Sequence, residues 1–139
     1  MPGLGSFRRV TELHEHMRNM LDGRNFAVVA TMNEDGSPHT SVIWVDRDGD
    51  TLVFTTTAQR RKGRNLARDP RVSVTVLDSQ NPYRTIDIAG TAELVPDPDK
   101  ELPARLSRKY VGELPPPEPS EVQRWIVRVI PDRITAFGA

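Results

Sequence analysis

Apolar residues fall along this chain in short runs, broken by polar turns that carry glycine, aspartate or proline. Phe26 to Met32 is almost wholly apolar, which predicts a strand buried on both faces. Asn33-Glu34-Asp35-Gly36 predicts a hairpin turn, with glycine where a positive φ is needed. Ser37 to Val45 is the next predicted strand. One face carries Pro38, Thr40, Val42 and Trp44, and the other carries His39, Ser41, Ile43 and Val45. Asp46-Arg47-Asp48-Gly49-Asp50 turns the chain into a strand from Thr51 to Phe54. Further strands are predicted over Val72 to Leu77 and Thr85 to Leu94, with a closing pair over Trp125 to Ile130 and Arg133 to Phe137 separated by Pro131-Asp132. Strands this short and this closely spaced predict an antiparallel barrel.

Helical periodicity is confined to three places. Ser6 predicts the cap of an N-terminal helix, with Val10, Leu13, Met17, Met20 and Leu21 on one face and Gly23 as its stop. His14 and His16 project from different sides of that helix and read as surface residues. Asn65-Leu66-Ala67-Arg68-Asp69-Pro70 predicts a short helix closed before proline. Pro96-Asp97-Pro98-Asp99 predicts a helix start, and Leu102, Leu106, Tyr110 and Val111 follow at helical spacing. The run from Leu114 to Pro119 holds four prolines, so it reads as a stiff extended connector.

Composition narrows the function classes. A chain of 139 residues fits one domain, here taken as 1–139. Its 37% hydrophobic content is low for a self-sufficient monomer and favours a shared interface. Nineteen basic and nineteen acidic residues cancel, which argues against nucleic-acid binding and membrane attraction. With no cysteine there is no disulfide, thiol nucleophile or thiolate metal site. No apolar run approaches a membrane span, and Met1-Pro2-Gly3-Leu4-Gly5-Ser6 does not read as a signal peptide, so a cytoplasmic location is the expectation.

The densest chemistry follows the strand that ends at Phe54. Three hydroxyls, Thr55, Thr56 and Thr57, precede three consecutive cations, Arg60, Arg61 and Lys62, and then Gly63. A strand-to-helix turn with hydroxyls, cations and free backbone N–H groups can hold a phosphate. An arginine can fork onto two oxygens while Lys62 supplies a point charge. The competing reading of the same run is a solvated helix start. Other clusters carry less. Ser37 and His39 have no orienting acid, so His39 reads as an exposed or ligand-adjacent residue rather than a catalytic base. Asp46, Asp48 and Asp50 alternate like a calcium loop, but the glycine comes too early and the distal glutamate is missing. The polar loop from Asp78 to Arg84 is open to two readings: a hairpin connection with a packed tyrosine, or a cleft rim carrying Tyr83 and Arg84.

Taken in order, the segments from Phe26 to Glu93 resemble the split-barrel flavin and deazaflavin oxidoreductases, the superfamily that includes pyridoxamine 5′-phosphate oxidase. The resemblance is nearest to the class that uses coenzyme F420. It implies a mainly β fold, a six- or seven-stranded antiparallel split β-barrel with short flanking helices, assembled as a homodimer. It also implies that His39-Thr40-Ser41-Val42-Ile43-Trp44 lays its backbone along the cofactor ring edge. Phe54, Thr55, Thr56 and Thr57 would line the ring and ribityl chain, and Arg60, Arg61 and Lys62 would clamp the phosphate. Tyr83 and Arg84 would reach the cleft, in part across the dimer. The C-terminus from Ile130 to Ala139 lacks the Arg and His substrate motif of the vitamin B6 oxidases. The implied activity is hydride transfer from reduced F420 to an electron-poor small organic acceptor. An FMN-dependent oxidoreductase and a non-enzymatic flavin- or deazaflavin-binding protein are the alternatives.

Overall fold

The structure is a computed structural model that describes residues 8–10 and 13–138. The expected Ser6 cap lies outside the described residues. Seven strands follow one another through one antiparallel sheet in the order β3-β2-β6-β7-β8-β5-β4. They are β2 (Phe26–Met32), β3 (Pro38–Trp44), β4 (Asp46–Asp48), β5 (Thr51–Thr57), β6 (Arg71–Asp78), β7 (Asn81–Pro96) and β8 (Arg124–Phe137). A short eighth strand, β1 (Arg8–Val10), pairs with β8. The helices are α1 (Glu15–Asp22), α2 (Arg61–Arg68) and α3 (Glu101–Val111). This is the mainly β split barrel with short flanking helices that the strand spacing and the resemblance imply.

The sheet has to curl. Its first and last strands, β3 and β4, are joined through Val45 alone. Laid flat, six interstrand steps would separate them by roughly 29 Å. Two Cα steps span at most about 7.6 Å. Curling turns alternate residues of each strand inward, and these make the main core: Ala27, Val29, Ile43, Phe54, Val74, Ile86, Val127 and Ile134 among others. α1 adds Met17, Met20 and Leu21 to the same cluster.

α3 closes the seam where β3 turns into β4. Val45 is fully buried and lies between strands, so the ladder does not satisfy its backbone. The Tyr110 hydroxyl accepts from Val45 N–H at 3.1 Å and donates to the Asn25 carbonyl at 2.6 Å. Lys109 Nζ donates to the Val45 carbonyl at 2.7 Å. The Trp44 and Tyr110 rings stack with centroids 5.2 Å apart. A second apolar cluster of Val53, Leu102 and Leu106 lies beneath them. Both oxygens of the buried Asp97 carboxylate cap the start of α3, accepting from Glu101 and Leu102 N–H at 3.0 Å each.

Four expectations are corrected. β2 is not buried on both faces: Ala27, Val29 and Thr31 are buried, while Phe26 is exposed and Val28 and Ala30 are half-buried, because among the described residues α3 reaches the outer side only at one end, where the Tyr110 and Phe26 ring centroids are 6.0 Å apart. Val10 lies on β1 opposite Ile134, and α1 starts only at Glu15. The two closing strands are one strand, β8, bulged at Pro131 and Asp132. Gly90 sits opposite the bulge, where a Cβ would lie 2.0 Å from the Ile130 carbonyl oxygen. After Asp78 the hairpin reading holds, with only Ser79 and Gln80 between β6 and β7, but Tyr83 is exposed rather than packed, because it lies at the tip of the hairpin.

Tyr110→Phe should lower the unfolding free energy by about 1–3 kcal/mol, since the buried Val45 N–H is left without its acceptor. Urea denaturation would show this as a lower midpoint at unchanged slope. A midpoint equal to wild type would mean that the seam does not depend on the phenol.

Candidate functional site

β5 extends three residues beyond Phe54, so the threonines are part of the ladder rather than of the turn. Alternation then divides them. Thr55 faces the outer cleft, its hydroxyl 3.4 Å from the Trp125 carbonyl, and Thr56 is fully buried. Thr57 Oγ1 accepts from Arg60 N–H at 3.1 Å and ends the strand. α2 starts at Arg61, earlier than the sequence pattern suggests. It lies hard against the strand end, since a Cβ on Gly63 would be 2.0 Å from the Thr57 carbonyl oxygen. Glycine is therefore the residue that lets the helix start press onto β5.

The close approach splits the basic run. Arg60 and Lys62 face a cleft of about 390 Å³ bounded by Val42, Ile43 and Trp44 of β3, by α3, and by Leu114 to Pro116 of the proline-rich segment. Arg61 turns the other way and lines a separate groove with Arg64, Arg68 and the Asn33–Asp35 turn. The cleft runs beside an open sheet edge. Among the described residues β3 pairs with β2 only, so its other side presents backbone N–H and C=O groups without ladder partners there. Apolar walls and an unpaired strand edge suit the flat rings of a cofactor and an acceptor, and the cations gather at one end.

Lys62 is the most telling of these cations. Its residue is only 9% exposed. Nζ reaches β3 and donates to Ser41 Oγ at 3.3 Å, a neutral partner, and it has no ion pair among the described residues. Burial lowers its pKa from 10.5, and the nearby charges of Arg60 and Arg124 lower it further. A buried ammonium among like charges, with no anion of its own, fits a bound phosphate.

Arg124 escaped the sequence reading. It opens β8 and sits opposite Thr57 in the β5–β8 ladder, on the cleft wall. Glu118 of the proline-rich segment holds it through two hydrogen bonds of 2.9 and 3.0 Å. Arg124, with help from Lys100, holds the Glu118 carboxyl down to about 2. No local motif marks Arg124, because the pairing that places it joins residues 67 positions apart (124 minus 57).

The remaining sequence candidates divide. His39 and Ser41 point to the inner side of β3, and His39 Nδ1 is buried without a partner among the described residues. Ile43 is buried, Trp44 is half-buried, and Val42 is 67% exposed. Phe54 is corrected: its side chain is fully buried in the main core, because alternation sends Thr55 rather than Phe54 to the cleft. Tyr83 and Arg84 are not on the cleft wall of their own chain. Tyr83 is exposed at the β6–β7 hairpin, and Arg84 is tied to Asp78 at 3.2 Å and to the Gly138 carbonyl at 3.1 Å. Among the described residues, no three His, Asp or Glu side chains converge as metal ligands, and no helix is long and apolar enough to cross a membrane.

A curled antiparallel sheet with a cationic strand-to-helix turn beside an open edge is the arrangement of the split-barrel, flavin-type oxidoreductases. The chain belongs to the pyridoxamine 5′-phosphate oxidase family, which matches residues 13–137. A solved F420 reductase is 33% identical, superposes with a TM-score of 0.78, and aligns over 88% of this chain and 98% of its own. A conserved hypothetical protein from Mycobacterium tuberculosis shares the fold at 23% identity and a TM-score of 0.73, over 94% of this chain and 88% of its own. A heme-binding protein from Mycobacterium smegmatis is 26% identical with a TM-score of 0.61, over 88% of this chain and 52% of its own.

The buried charge of Lys62 sets a trade-off between stability and binding. A lysine whose pKa is depressed by folding destabilises the protein while it is protonated, and the cost is relieved as pH rises through the lowered pKa toward 10.5. Lys62→Met should therefore hold or raise the melting temperature of the free protein at neutral pH, while its affinity for a phosphate-bearing cofactor falls. A clear drop in melting temperature would show that Lys62 is structural rather than reserved for a ligand.

Proposed function

We propose that this protein is an F420H2-dependent reductase that passes hydride from the reduced deazaflavin to an electron-poor small organic acceptor. The observation that carries the reading is the buried Lys62 ammonium without a counter-charge, at the cationic end of an apolar cleft. The 33% identity to an F420 reductase, over nearly the whole of both chains, favours the deazaflavin over FMN. FMN is the second reading, because its phosphate and flat ring would meet the same residues, and a non-enzymatic flavin- or deazaflavin-binding role shares that clamp.

The bound cofactor would supply the hydride. The chain's own residues bind, orient and exclude water. Arg60 and Lys62 would hold the phosphate. The unpaired β3 edge from Ser41 to Trp44 would take hydrogen bonds from the ring edge, and Thr55 would lie along the ribityl chain. Val42, Trp44, Leu106 and the Leu114–Pro116 strap would pack a flat acceptor against the ring and keep water from it.

A second copy of the chain would complete the site. The outer face of β2 and β3 carries Phe26 at 52% and Val42 at 67% exposure, beside half-buried Val28 and Ala30. Apolar side chains adjacent on a sheet face call for a covering layer. A homodimer through this face would bring partner residues to the Val42 side of the cleft, the one route by which Tyr83 and Arg84 could reach a cofactor.

Titration of the purified protein with both cofactors should give micromolar or tighter binding of F420 and weaker binding of FMN. Arg60→Ala should cost about 1.5–3 kcal/mol of that binding. Tight FMN binding with negligible F420 affinity would replace the proposal with its runner-up. Light scattering should return twice the 15.6 kDa chain mass, and Val42→Asp should shift it toward one chain. A wild-type mass of one chain at micromolar concentration would remove the dimer.

A further inference from the structure

The cations at the polar end of the cleft come from two distant parts of the chain. Arg60 and Lys62 stand at the start of α2, and Arg124 opens β8. The β5–β8 ladder sets Arg124 opposite Thr57, the residue whose hydroxyl receives Arg60 N–H. Three charges thus gather where β5 hands over to α2, and the Arg124 side chain is only 15% exposed.

Only part of the Arg124 guanidinium is engaged. Nε and one N–H of Nη2 donate to the two oxygens of Glu118, while Nη1 has no hydrogen-bond partner among the described residues. A carboxylate that takes one edge of a guanidinium fixes its plane and leaves the other edge free to fork onto a second anion. Glu118 is itself braced, since Lys100 Nζ lies 3.1 Å from Glu118 Oε1 and donates to the Pro119 carbonyl at 3.1 Å. Lys100 is the non-glycine residue with a left-handed backbone among the described residues, at φ 55° and ψ 41°. A conformation so unfavourable for a lysine persists where its surroundings over-determine it. With Arg60, Lys62, Arg124 and Lys100 against Glu118 and the cleft-lining Glu113, the cluster keeps a net charge of +2 (four cations, two carboxylates).

We infer that Arg124 is the third arm of the phosphate clamp, and that Glu118 is a positioning residue that aims its free edge into the cleft. The inference rests on the phosphate-clamp reading proposed above. It assigns a binding role to the start of β8 and a reason for the proline-rich connector to carry an acid near its end: the connector carries the brace for the clamp as well as one wall of the cleft.

The test compares chromophores with and without phosphate: FMN against riboflavin, and F420 against its phosphate-free deazariboflavin core. Binding is measured by fluorescence for wild type, Arg124→Ala, Arg124→Lys and Glu118→Gln, with melting temperatures alongside. Wild type should prefer the phosphorylated form. Arg124→Ala should lose that preference by about tenfold or more, as for one charge-assisted contact. Its affinity for the phosphate-free form should stay the same. Arg124→Lys should fall in between, because it keeps the charge but not the fork, and it carries the test if the alanine variant does not fold. Glu118→Gln should reduce the preference with Arg124 still present, which a merely structural role would not do. An unchanged preference in all three variants overturns the inference and leaves a clamp of Arg60 and Lys62. No preference in wild type overturns the phosphate clamp itself, and this inference with it.

Discussion

Trp44 and Asp46 are two Cα steps apart, yet they belong to strands at opposite ends of the path through the sheet. Everything else in the molecule answers to that short link. It forces the sheet to curl, and curling turns one face of every strand into a shared interior. It also leaves a seam, where Val45 has backbone groups that no strand can satisfy. α3 supplies the missing partners from side chains, the Tyr110 hydroxyl and the Lys109 amine. The helix that seals the seam is also one wall of the cleft, so the fold's weak point and its candidate site have one origin.

A second constraint acts at the far end of β5. The absence of a side chain at Gly63 lets α2 begin on top of the strand end, so consecutive cations diverge to different sides of the helix start. Arg60 and Lys62 enter the cleft, and Arg61 joins a different groove. The buried Lys62 amine is then held by a neutral hydroxyl among like charges. Such an arrangement is poor for stability and good for capturing an anion, and a family of flavin-type oxidoreductases is where that exchange has a use.

Much of the fold was legible in the chain because it depends on local pattern. Phe26–Met32 was readable to the residue, and α3 was readable from the spacing of Leu102, Leu106 and Tyr110. The misreadings have specific causes. Pro131 and Asp132 look like a break, but Gly90 on the neighbouring strand makes room for a bulge. The apolar run of β2 suggests burial on both faces, but only its partners in the sheet determine which face this chain covers. Phe54 looks like a ring-lining aromatic, yet its parity in β5 sends it to the core.

Local pattern was enough for most element types, the antiparallel barrel, and the cationic strand-to-helix turn. Those properties are encoded in neighbours a few residues apart, through side-chain alternation, turn chemistry and charge. Which cations share the cleft is a matter of long-range packing, because it depends on a helix pressed against Gly63 and on a ladder that carries Arg124 to Thr57 from 67 residues away (124 minus 57). Glu118 reaches the same place only because the proline-rich segment crosses the open side of the barrel. Convergence of distant residues is a consequence of the curled sheet, and no local pattern contains it.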